Sequence, residues 1–339
     1  MKLQFAGSNI LSVHQFERAD VERIFSVADN MLPYAQRRRM TKVLDGAILG
    51  SMFFEPSTRT RVSFGSAFNL LGGEVRETTG FENSSIAKGE SLYDTARVLS
   101  GYSDAIVMRH PSPGSVAEFS AASRVPVING GDGSNEHPSQ ALLDLYTIKS
   151  ELSGRGLGID KLRIAMVGDL RHGRTVHSLC KLLCLFKAIQ VVLVSPKELT
   201  MPAEIVEELR SCGHQVLESE VLEESIAHVD IVYSTRIQEE RFDSQAEADL
   251  YRGRFRLNQS VYTSHCEPNT VIMHPLPRDS RDNARELDDD LNDNPNLAIF
   301  RQTDNGVVVR MALFVLILDV ADQVDSHSRD VNWYTERRF

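Results

Sequence analysis

GAILGSMFFEPSTRTRVSFGSAFNLL, residues 46–71, changes its hydrophobic rhythm halfway along. Its first half, Ala47 to Phe54, is a short apolar run, as expected of a strand covered on both faces and hence of a parallel sheet. From Val62 onward the pattern is helical. Between them Ser57 is a natural N-cap, which puts Thr58 to Thr60 in the first helical turn. A strand that leads through a polar turn into a helix is the repeating unit of an α/β fold.

The same unit recurs outward from this stretch. Strand-like runs stand at DAIVMRH (104–110), VPVIN (125–129), RIAMVGD (163–169), QVVLVS (190–195) and DIVYST (230–235), with weaker ones at TVIMHP (270–275) and LAIF (297–300). Helical patterns occupy HPSQALLDLYTIKSEL (137–152), TVHSLCKLLCLF (175–186) and AEIVEELRSCG (203–213). Residues 17–44 also read as helix, with Val21, Ile24, Phe25, Ala28 and Leu32 at helical spacing, and a last helix runs from about Val307 to Val320. The expected fold is therefore α/β, with two domains, each a parallel sheet flanked by helices. A chain of 339 residues is long enough for two cores, and the Gly-rich polar stretch SELSGRGLGIDK (150–161) offers the break between them.

Composition narrows the function classes. The chain is 42% hydrophobic and 25% charged with a formal net charge of −10, which argues against nucleic acid or an acidic membrane as partner. Its start, MKLQFAGSNILSV, lacks the basic and apolar regions of a signal peptide, and the longest apolar run, Met311 to Leu318, is too short to span a bilayer. A cytoplasmic location is expected. Four cysteines without C-x-x-C pairing read as reduced core thiols, so neither a metal nor a cofactor is implied.

Charge placement is more informative than charge total. A helix start exposes unpaired N–H groups and a positive dipole end, so Arg59 and Arg61 there are locally unfavourable unless an anion joins them. More cationic and polar groups follow other strands: Arg109-His110, the segment Gly133 to Gln140, Arg171 to Thr175, and Thr235 to Gln238. Ligands of open parallel sheets bind at such strand ends. An acidic chain that gathers arginines there is built for anionic small molecules.

The segment FFEPSTRTRVSF resembles the S-T-R-T-R motif of the aspartate and ornithine carbamoyltransferase family, and further motifs match in order from about residue 45 to 315. The resemblance implies a carbamoyl-phosphate-binding domain of residues 1–149 plus the C-terminal helix 307–339, and an aspartate-binding domain of residues 150–306. It implies that Ser57, Thr58, Arg59 and Thr60 hold phosphate, and that Thr60, Arg109 and His137 donate to the carbonyl oxygen. Donors fixed on a developing oxyanion each contribute about 10²–10³ in rate. Gln140 and the backbone carbonyls of Leu276 and Pro277, in the H-P-L-P stretch 274–277, would meet the carbamoyl amide. Aspartate would be held by Arg174, Thr175, Arg236 and Gln238, consistent with bidentate arginine–carboxylate pairing.

The loop SSIAKGES (84–91) resembles one that reaches a neighbouring subunit's site, with Ser84 on phosphate and Lys88 on both substrates; Ala87 stands where some relatives have a second lysine. This implies a homotrimer with shared sites, to which a separate regulatory chain could be added. The resemblance thus implies transfer of a carbamoyl group from carbamoyl phosphate to the amino group of L-aspartate, an early step of pyrimidine biosynthesis. The ornithine branch has H-C-L-P and an S-M-G loop, and neither occurs here. A nicotinamide dehydrogenase would need G-x-G-x-x-G, but Gly168 to Gly173 lacks the middle glycine. A non-catalytic scaffold would lack a site residue, and every expected position is filled.

Overall fold

A computed structural model describes residues 3–80, 89–242, 244 and 248–333. The chain divides into two compact units, Met1–Leu142 with Asp304–Phe339, and Leu143–Thr303. The first division lies inside helix α5 (Pro138–Ser153), ahead of the Gly-rich stretch 150–161, and the second lies inside the helix Ile299–Ile317.

The first unit is built on a four-stranded parallel sheet in the order β3-β2-β4-β5. These strands are β2 (Ile48–Phe53), β3 (Glu74–Thr79), β4 (Ala105–His110) and β5 (Val127–Asp132). Helix α2 (Thr58–Leu70) follows β2 and packs Phe64 and Phe68 edge-on against Phe314 of the last helix, at centroid separations of 5.9 and 4.9 Å. Residues Met311 to Ile317 are buried throughout, so the apolar run noted in the sequence is a core helix. Among the described residues no helix is long and apolar enough to cross a membrane.

The second unit carries a five-stranded parallel sheet in the order β10-β9-β6-β7-β8. Its strands are β6 (Arg163–Val167), β7 (Gln190–Val194), β8 (Gln215–Ser219), β9 (Ile231–Ser234) and β10 (Val271–Met273). Helices α6 (Arg174–Leu183) and α7 (Ala203–Ser211) follow β6 and β7. In both sheets the first strand of the unit, β2 or β6, has neighbours on both sides. The chain therefore winds both ways from it, leaving a topological switch point where loops diverge.

Three sequence expectations change. Helix α1 (Arg18–Ala35) stops well short of residue 44. The Arg38 N–H bonds Pro33 O at 2.9 Å and the Arg37 N–H bonds Tyr34 O at 3.0 Å, with Arg37 in the left-handed region at φ 61°. This is a Schellman stop without the usual glycine, so nothing in the composition announced it. Residues 39–41 then form β1, paired antiparallel with β11 (Ser328–Asp330). The LAIF run is not a strand: Leu297 makes one isolated bridge to Ile272, and Ile299 opens the last helix, which begins earlier than expected. The sheet-edge strands β3 and β8 carry exposed, charged sequences (EVRETT, QVLES) and escaped a search for apolar runs.

Two outcomes follow. Phe314→Ala removes a fully buried ring, so unfolding free energy from urea titration should fall by about 3–5 kcal/mol. His177 and His214 are pushed below the usual histidine range, chiefly by burial. Neutral rings are thus favoured in the folded chain, so the stability they support is complete above about pH 6.5 and is lost as pH falls, because the unfolded chain protonates first. The urea midpoint should therefore drop between pH 7.5 and 5.5, and less steeply in His214→Gln, a range anchored to the ordinary histidine value of about 6.5.

Candidate active site

In the first unit the functional groups gather at the carboxyl ends of β2, β4 and β5. Ser57 occupies the N-cap position of α2, but its hydroxyl makes no capping hydrogen bond, so the helix does not close its own first turn. Thr58 and Arg59 are exposed there, and Thr60 is buried. Arg61 donates to Glu77 on β3 at 2.6 Å. The neighbouring acid therefore accounts for Arg61, which leaves the sequence argument for an external anion weaker than the motif suggested.

Arg109 sits at the end of β4, in register with Phe53 of β2. Its guanidinium is buried, with Nε 3.0 Å from Glu55 Oε2 and Nη1 donating to Gly130 O at 3.3 Å. A buried cation paired with a carboxylate and a backbone carbonyl has its orientation set in advance. His137, also buried, has Nε2 3.5 Å from Thr60 Oγ1 and Nδ1 3.4 Å from Ser139 Oγ. These long contacts place Thr60 and His137 side by side. Gln140, half-buried, lies one turn on, its N–H bonded to His137 O at 2.9 Å.

The segment 129–137 is shaped by Asp132, a residue not singled out from the sequence. Its buried carboxylate accepts from Gly114 N (3.0 Å), Asn129 Nδ2 (3.1 Å), Asn135 Nδ2 (3.0 Å) and Glu136 N (3.1 Å). Glu136 in turn accepts from Val13 N at 2.7 Å and Ser12 Oγ at 3.1 Å.

In the second unit Arg174 opens α6 and is buried, while Thr175 hydrogen-bonds the Tyr233 phenol. Arg236 follows β9 half-buried, with Nη1 bonded to Ile237 O at 3.0 Å. Gln238 Oε1 accepts from Arg241 Nε at 3.0 Å. Asp169, fully buried, joins the two loops: it accepts from His172 N (3.0 Å) and Gln238 N (3.2 Å), and His172 Nδ1 lies 3.1 Å away. His172 also meets the Phe242 ring edge-on at 5.1 Å, which gives this histidine a role that the sequence did not. The loops approach closely because Gly168, at φ +120°, lacks a Cβ that would stand 2.2 Å from Thr235 O.

Leu276 and Pro277 follow β10, joined by a cis peptide bond, with Leu276 at φ 58°. The Leu276 N–H donates to His274 Nδ1 at 2.8 Å. Ser84 and Lys88 lie outside the described residues. The structure thus brings Ser57, Thr58, Arg59, Thr60, Arg109, His137 and Gln140 together in one unit. The other unit holds Arg174, Thr175, Arg236 and Gln238 at the ends of adjacent strands.

Comparison with known proteins agrees with this geometry. Residues 8–150 match the aspartate/ornithine carbamoyltransferase carbamoyl-P binding domain, and residues 160–317 match the Asp/Orn binding domain of the same family. The aspartate carbamoyltransferase catalytic subunit of Saccharophagus degradans is 76% identical, covering 99% of this chain and 100% of its own. That of Cellvibrio japonicus is 72% identical, covering 99% of both. Among solved structures, the Methanocaldococcus jannaschii catalytic subunit superposes with a TM-score of 0.83 at 43% identity, covering 93% of this chain and 99% of that one. The Trypanosoma cruzi aspartate transcarbamoylase in complex with carbamoyl phosphate and aspartate gives 0.84 at 37%, covering 94% and 99%. This chain belongs to the aspartate/ornithine carbamoyltransferase family.

Proposed function

We propose that this chain transfers the carbamoyl group of carbamoyl phosphate to the amino group of L-aspartate, giving N-carbamoyl-L-aspartate and phosphate. The observation that carries the reading is the buried Arg109, held by Glu55 at the end of β4 beside a helix start whose cap leaves its first turn open. The relatives named as aspartate carbamoyltransferase catalytic subunits support it.

Ser57, Thr58, Arg59 and Thr60 take the phosphate, where N–H donors, hydroxyls and one guanidinium converge on a dianion. Arg109, His137 and Thr60 donate to the carbonyl oxygen, and Gln140 with the carbonyls of Leu276 and Pro277 orients the amide. Arg174 and Arg236 take the two carboxylates of aspartate, with Thr175 and Gln238 assisting. The amine nitrogen attacks the carbonyl carbon, the carbon–oxygen bond to phosphate breaks, and the departing phosphate accepts the amine proton. The donor is an activated mixed anhydride, so alignment and stabilisation of the oxyanion supply the acceleration.

The family resemblance further supports a homotrimer in which Ser84 and Lys88 serve a neighbouring subunit's site, acting in the cytoplasm in pyrimidine biosynthesis. A separate regulatory chain is compatible with relatives being called catalytic subunits.

Labelled carbamoyl phosphate offered to the purified protein with equal aspartate and ornithine tests the reading. Carbamoyl aspartate should be the only labelled amino acid; label on ornithine, or on neither, refutes it. Arg236→Ala should raise the half-saturating aspartate concentration at least about tenfold, since each charge-assisted bond contributes ~1.5–3 kcal/mol.

A further inference from the structure

His274 follows β10 and is buried from solvent, and it is given no substrate contact of its own above. Its ring has a partner on each side. Nδ1 accepts the Leu276 N–H at 2.8 Å, and Nε2 stands 2.8 Å from Oε1 of the buried Glu286. A backbone amide can only donate, so Nδ1 carries the lone pair and the single ring proton sits on Nε2, beside the carboxylate but outside hydrogen-bond geometry with it. Glu286 is fixed in its turn by the Asp279 N–H, at 3.2 and 3.3 Å from its two oxygens. The His274 N–H donates to Gln302 Oε1 at 3.0 Å, and Gln302 Nε2 donates to Asp144 at 2.6 Å. The ring is therefore held at Nδ1 by the Leu276 amide with a carboxylate close to Nε2, and the backbone of the same residue is held by Gln302.

What it anchors is strained. Leu276 has φ 58°, a region that residues with a Cβ avoid, and it has no glycine's freedom to relax. Because Pro275 and Pro277 have no N–H, the Leu276 amide is the one backbone donor between His274 and Arg278. That amide lies in the Pro275–Leu276 peptide plane, and the Leu276 and Pro277 carbonyls follow from it through the Leu276 dihedrals and the fixed φ of Pro277.

We propose that His274 is a positioning residue: set beside the buried Glu286, it holds the Leu276 N–H and so aims the Leu276 and Pro277 carbonyls at the amide of the carbamoyl donor. The proposal deepens the functional reading above and rests on it for the identity of that amide. Its structural half, the hold on Leu276, stands separately.

Substitution can separate the two ring nitrogens. His274→Asn places an amide oxygen near Nδ1 and keeps an acceptor for Leu276 while giving up Glu286. His274→Gln reaches toward Glu286 and gives up the acceptor. The amide exchange rate of Leu276 and the turnover number are measured in both variants, alongside equilibrium binding of carbamoyl phosphate and of inorganic phosphate. Exchange at Leu276 should stay slow in wild type and His274→Asn and become fast in His274→Gln. Turnover should fall by about 10²-fold in the glutamine variant, the size of one lost preorganised contact, with the asparagine variant retaining most activity. Affinity for carbamoyl phosphate should weaken in His274→Gln while affinity for inorganic phosphate, which lacks the amide, stays unchanged.

Slow exchange at Leu276 in both variants, or equal turnover in both, overturns the proposal. So does a parallel loss of both ligands, which would mean a general structural role. Absence of transfer by the wild-type protein would instead remove the functional reading, and the exchange measurement would still decide whether His274 holds the turn.

Discussion

A parallel strand ends with backbone donors that its neighbours do not satisfy, and the loop beyond it must find acceptors. In both units a buried aspartate supplies them. Asp132 at the end of β5 and Asp169 just after β6 each follow a glycine, and each accepts from backbone and side-chain N–H groups of the loop beyond. A carboxylate taken out of water is tolerated only with such partners, and the exchange stiffens the loop. The groups proposed to meet ligand, His137 beyond Asp132 and Arg174 beyond Asp169, are carried on backbone that these carboxylates hold.

The same logic explains how an acidic chain presents cationic sites. Arg109 and Arg174 are buried, and the sequence total of −10 says nothing of the local field they create. Arg109 has the Glu55 carboxylate at its Nε edge and Gly130 O at Nη1, so its orientation is set by the protein. Arg61, one turn further along the helix than its neighbour Thr58, is spent on Glu77 and serves the sheet edge.

Much of this was legible beforehand, and the boundary of legibility is physical. Central strands such as GAILGSMF and RIAMV are covered on both faces and read as apolar runs; the edge strands EVRETT and QVLES face water and do not. Ser57 was legible as a helix start, but that its hydroxyl leaves the turn uncapped depends on its ψ of 86°, which no spacing encodes. The arginines stood out because positive charge at a strand end or helix start is locally odd. Asp132, Asp169 and the pair His274–Glu286 did not, because their partners are backbone amides or residues distant in the chain. The repeated Gly-Asp at the ends of VINGGD and AMVGD was the available signal.

If buried carboxylates hold the ligand-bearing loops, then neutralising one should loosen ligand binding before it unfolds the protein. The direct measurement is aspartate saturation of Asp169→Asn at fixed carbamoyl phosphate, with the melting temperature followed in parallel. An amide offers one acceptor oxygen to three donors, so half-saturating aspartate should rise at least about tenfold, the equivalent of one lost charge-assisted bond, in a protein that still melts cooperatively. Unchanged aspartate saturation in that folded variant would contradict the account.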